Sequence, residues 1–114
     1  MHVVETDWPA ICTPAEDGQL QLSDTQIPIN PVGQSEWVRN IANVVLSVPD
    51  GLGRGVHYWE PAWLNSTGLG SACEADILFS TDWTYWPNIT AYSRSSVNMF
   101  QFPTRPGNPW KFDE

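Results

Sequence analysis

Hydrophobic and polar positions fall into four patterned segments separated by stretches rich in Pro and Gly. His2-Val3-Val4-Glu5-Thr6 is a short β-branched run halted by Asp7-Trp8-Pro9, and it predicts a buried strand. From Pro31 to Val48, apolar Val38, Ile41, Val45 and Val48 recur at helical spacing, with Trp37 and Val44 widening the stripe. This predicts an amphipathic helix, with Pro31 suited to its first turn and Pro49-Asp50-Gly51 ending it. Gly55 to Glu60 predicts a second strand, closed by Pro61. Beyond Pro87, Ala91, Ser95, Met99 and Phe102 predict a weaker helix reaching about Phe102, and the Pro/Gly-rich stretch 103–114 predicts a loose tail.

The predicted order is strand, helix, strand, helix, which reads as an α/β class with parallel strands. Long connections follow each strand, Asp7–Asn30 and Pro61–Trp86, whereas Pro49–Arg54 between helix and strand is short. Loops after strand C-termini are ordinarily about 2–6 residues, so the long ones mark a functional face. A (β/α) barrel builds its active site on that face. Two parallel strands do not make a self-sufficient sheet, so the pattern predicts part of a larger domain. Met1 falls inside the first strand, as if the chain started part-way.

The 114 residues allow one small domain, and the net charge is −8. The basic residues Arg39, Arg54, Arg94, Arg105 and Lys111 are scattered, which excludes a phosphate-backbone partner and disfavours an anionic membrane surface. No apolar run approaches the ~20 residues a membrane helix needs. Seven Trp beside a single Lys suit an extracellular protein that handles sugars. Cys12 and Cys73 lack the spacing of a zinc site and predict one disulfide, adding about 4 kcal/mol on the chain-entropy account. The sequons at Asn65 and Asn88 also suit a secretory route, although the first residues carry no signal-peptide pattern.

Val3-Val4-Glu5-Thr6-Asp7-Trp8-Pro9 and Gly55-Val56-His57-Tyr58-Trp59-Glu60-Pro61-Ala62-Trp63 together resemble the fungal arabinogalactan endo-β-1,4-galactanases of glycoside hydrolase family 53. Gly68-Leu69-Gly70-Ser71-Ala72-Cys73 and Pro31-Val32-Gly33-Gln34 support the likeness, which covers roughly residues 2–80. The resemblance implies the C-terminal quarter to third of a (β/α)8 TIM barrel. On it, residues 1–102 form a partial barrel holding the last two βα units, strands seven and eight with their helices, and 103–114 form a tail. It further implies a secreted, monomeric parent enzyme that hydrolyses β-1,4-galactan or arabinogalactan with retention. Glu5 would then be the nucleophile, while the acid/base glutamate belongs in a Gly-Asn-Glu context that this chain lacks. Retaining chemistry needs both carboxyls about 5–5.5 Å apart, so the isolated chain is expected to be inactive.

Each candidate also has a plain structural reading. Glu5 alone could be a solvated strand-end acid. Trp59, Trp63 and Trp8 could pack in a core, or could offer flat faces to sugar C–H groups; Trp59 at a strand end is the strongest platform candidate. Glu60 and Asp7 could bind hydroxyls or brace loops, and alternation sets His57 on the face of Trp59, opposite Tyr58. Glu16, Asp17, Glu74 and Asp76 could suggest calcium, but the resemblance favours a disulfide in that place and no metal. No cofactor motif occurs: Gly51-Leu52-Gly53-Arg54-Gly55 lacks the Lys and Ser/Thr of a phosphate loop, and no Gly-x-Ser-x-Gly elbow is present. The competing expectation is a non-catalytic secreted carbohydrate-binding or interaction protein.

Overall fold

A computed structural model describes residues 1–13, 26–62, 73 and 76–101. The N-terminal run forms strand β1 (His2–Thr6), paired in parallel with β2 (Gly55–Tyr58). Between them lies helix α1 (Pro31–Leu46). Its start follows from local chemistry. The Asn30 side chain accepts the Gly33 N–H at 2.9 Å, and Pro31 occupies the first turn, where a missing N–H costs nothing. Gly33 is required by closeness: a Cβ there would lie 1.6 Å from the Pro28 carbonyl oxygen. At the far end, Asp50 and Gly51 both adopt left-handed backbone, φ 60° and 64°, which turns the chain out of the helix toward β2.

Val38 and Val45 of the predicted stripe are buried, each 1% exposed, and Ile41 and Val48 are half-buried. Val44 lies outside the contact, at 60% exposed. Val38 packs with Tyr58, Leu78 and Met99, and Trp37 and Phe79 lean on this cluster. The core therefore lies between α1, the end of β2 and the segment beginning at residue 76.

Two expectations are overturned. The helix predicted from Pro87 to Phe102 is instead an antiparallel hairpin, β3 (Phe79–Tyr85) and β4 (Asn88–Ser93), followed by a 3-10 helix, Ser95–Phe100. Helical spacing of Ala91, Ser95 and Met99 was a weak signal. Ile89, Thr90 and Tyr92 favour a strand, and the two-residue turn Trp86–Pro87 lets Phe79–Tyr85 pair back on them. The connection after β2 is shorter than expected for the same reason, since β3 starts at Phe79. The second correction concerns β1, predicted buried. Only one face is covered by α1, and Val4 on the other is 67% exposed.

The disulfide is formed: Cys12 and Cys73 are bonded with their Cα atoms 5.1 Å apart, and Cys73 is buried. It links the segment after β1 to the segment after β2, both leaving the same end of the sheet. The predicted tail, 103–114, lies outside the described residues.

Candidate active site

The site is built on the ends of two neighbouring parallel strands. Val3 is opposite Val56 and Thr6 is opposite Tyr58, so β1 spends three steps where β2 spends two. This bulge has a direct consequence. Val3, Thr6, Val56 and Tyr58 fall on the helix-covered face and are half-buried or buried. Without the extra residue, strict alternation would put Glu5 on that face with Val3. With it, Val4 and Glu5 both turn to the uncovered face. His2, His57 and Trp59 share this face and are exposed. His2 and His57 lie with ring centroids 5.8 Å apart. The Trp59 N–H donates to the Thr6 carbonyl at 2.8 Å, which pins the end of β2 beside Glu5. Trp59 is 39% exposed, leaving a flat apolar face available. Alternation had already grouped His57 with Trp59 and against Tyr58; the bulge that adds Glu5 has no signature in the sequence.

Trp8 sits differently. It is 3% exposed, stacks on Trp37 at 4.9 Å and 25°, and donates its indole N–H to the Pro28 carbonyl at 3.0 Å. Trp37 in turn donates its own indole N–H to Thr6 Oγ1 at 2.7 Å. The Trp8 ring is therefore engaged in packing, fastening the segment after β1 to α1. Asp7, between Glu5 and Trp8, is half-buried, and burial raises its carboxyl above the ordinary 3.8, partly offset by its own backbone N–H. Glu60 is half-buried with φ 44°, a backbone conformation uncommon for a residue with a Cβ. Trp63 and Asn65 lie outside the described residues, as do Glu16, Asp17 and Glu74; Asn88 is exposed at the start of β4. Among the described residues, no group of three or more His, Cys, Asp or Glu is placed to hold a metal ion, and no helix is long and apolar enough to cross a membrane.

Beneath the strand ends is a buried polar node that sequence reasoning missed. Gln34 is 0% exposed. Its Nε2 donates to the carbonyls of Trp8 and Asp76, both at 2.9 Å, and its Oε1 accepts from Ser96 Oγ at 2.6 Å. The Tyr58 hydroxyl donates to the Asp76 carbonyl at 2.7 Å and accepts the Trp8 backbone N–H at 3.2 Å. Burial pushes this phenol well above its ordinary value, so it stays neutral and keeps donating. Two side chains thus tie together the segments after β1 and β2, the first turn of α1 and the 3-10 helix. The available signal was a Gln one turn into an amphipathic helix, which reads from sequence as a solvated position.

Residues 1–100 match Glycosyl hydrolase family 53. The protein named probable arabinogalactan endo-beta-1,4-galactanase A of Aspergillus fumigatus is 39% identical over 99 residues, covering 86% of this chain and 25% of that protein. The arabinogalactan endo-beta-1,4-galactanase of Thermothelomyces thermophilus is 37% identical, covering 87% of this chain and 26% of that protein. Among solved structures, one from a study of two fungal beta-1,4-galactanases superposes with a TM-score of 0.61 at 34% identity, covering 88% of this chain and 27% of that one. The chain therefore spans about a quarter of the length of the relatives it matches, as a small α/β unit. With a family match across nearly all of its length, the chain belongs to glycosyl hydrolase family 53.

Proposed function

We propose that this chain is the portion of a retaining endo-β-1,4-galactanase that carries the attacking carboxylate and the sugar platform, on strands seven and eight of the barrel. The observation that supports it most is the shared uncovered face. Glu5 and Trp59 stand on adjacent strand ends, on the side away from α1, where a closed barrel would present them to its mouth. Glu5 attacks the anomeric carbon, and the galactose C–H face rests on Trp59. Asp7 and Glu60 flank this pair and accept hydrogen bonds from sugar hydroxyls, and Trp63 is assigned as a further substrate-binding residue. Trp8 contributes by holding the Asp7 segment against α1. The Cys12–Cys73 disulfide ties the two loops of the site together and fits a secreted enzyme.

No Gly-Asn-Glu occurs in the chain, so the proton donor must come from elsewhere in a complete barrel. The isolated chain is inactive on this reading. The test replaces the matching quarter of the Aspergillus fumigatus relative with residues 1–100. The chimera is expected to hydrolyse β-1,4-galactan and to lose that activity on Glu5→Gln, while the 114-residue chain alone releases no sugar. Galactan hydrolysis by the purified chain alone, or an active Glu5→Gln chimera, would overturn the assignment.

A further inference from the structure

The β3–β4 hairpin projects an aromatic tip that the catalytic reading does not use. Tyr85 is 73% exposed, Trp86 65% and Trp83 44%, and the two indoles stack at 5.8 Å and 28°. Large apolar side chains in water at a hairpin end call for an occupant. The register supplies one. Tyr85 is the direct cross-strand partner of Asn88, so their Cβ atoms lie on one face about 5 Å apart. Asn88 opens the sequon Asn88-Ile89-Thr90, and alternation brings Thr90 to that same face; both are exposed. The Cys12–Cys73 disulfide fits folding where thiols are oxidised, the kind of compartment in which N-glycans are attached.

We propose that Asn88 carries an N-linked glycan whose first N-acetylglucosamine lies against the Tyr85 ring, with the Trp83–Trp86 stack stiffening the turn beside it. The donor is a lipid-diphosphate-linked oligosaccharide. A bond forms between Asn88 Nδ2 and the sugar C1, the bond from C1 to the diphosphate breaks, the lipid diphosphate leaves with the electron pair, and the amide loses one proton. The C–H face of the sugar meets the negative face of the phenol, covering apolar surface that is otherwise wet. Nothing in this depends on galactan as substrate.

The test expresses the full 114-residue chain behind a secretory leader in a glycosylating eukaryotic host. Mass spectrometry of the 88–90 peptide, taken from cells and medium together, is expected to show Asn88 occupied, and Thr90→Ala to abolish it. After trimming to a single sugar, the N-acetyl methyl proton is expected to be displaced upfield by the Tyr85 ring current. That displacement vanishes in Tyr85→Ser and persists in Tyr92→Ser, on the same face but two pairs further from the turn. An unmodified Asn88, or a methyl signal at the free-sugar position in the glycosylated chain, would overturn the proposal.

Discussion

The two faces of the β1–β2 sheet come from the same two short segments of chain, yet they differ in kind. Against α1, Tyr58 is buried, and its hydroxyl, the Gln34 amide, Ser96 Oγ and the carbonyls of Trp8 and Asp76 join in one bonded node. On the opposite face, Val4, Glu5, His57 and Trp59 stand in solvent. The covered face is a finished piece of protein interior; the open one holds the candidate chemistry and leaves an aromatic and a β-branched side chain wet. Stability should therefore reside on one side of the sheet and function on the other.

The sharpest way to break that division is to cut what joins the loops. Reducing the disulfide, or Cys12→Ser with Cys73→Ser, is expected to cost about 4 kcal/mol in urea unfolding. Gln34→Ala follows. It takes one donor from each of the buried carbonyls of Trp8 and Asp76, leaving the single Tyr58 O–H to serve both, and removes the acceptor of Ser96 Oγ; a loss of about 3 kcal/mol is expected in the same measurement. A loss below about 1 kcal/mol would mean that the node is incidental to the fold.

Tyr58→Phe keeps the ring and removes the hydroxyl, leaving the Trp8 N–H without its acceptor, and about 1–2 kcal/mol is expected. The same group gives an alkaline signature. Its folded-state pKa lies above the ordinary 10.0 through burial, so above that pH the unfolded chain releases a proton that the folded chain keeps. Stability should fall as pH rises beyond about 10, less steeply in Tyr58→Phe. Asp7 acts in the same sense at acid pH. Its carboxyl is raised above 3.8, so folding is favoured when it is protonated and weakens as pH rises through that value; Asp7→Asn should flatten this part of the pH profile. The smallest effects belong to the open face: Glu5→Gln and Trp59→Ala are expected to shift stability by no more than about 0.5 kcal/mol. A large loss from either would erase the distinction between the two faces.

Sequence alone determined the local elements whose causes are local. The β-branched run 2–6, the Val stripe of α1, Pro31 at its start and Asp50-Gly51 at its end are written in residue type and spacing, and so were the motifs that led to family 53. Segment 88–93 is a strand against its own helical spacing because its long-range partner, Phe79–Tyr85, decides between strand and helix, and pairing across a turn outweighs a thin helical pattern. Gln34 as a buried hub was equally illegible, since its carbonyl partners come from residues 8 and 76, far along the chain. The bulge in β1 belongs to the same class: which face Glu5 occupies depends on how two distant strands count their residues against each other. Residue identity supplied the candidate nucleophile, and only the register between β1 and β2 turned it toward the face where a barrel would use it.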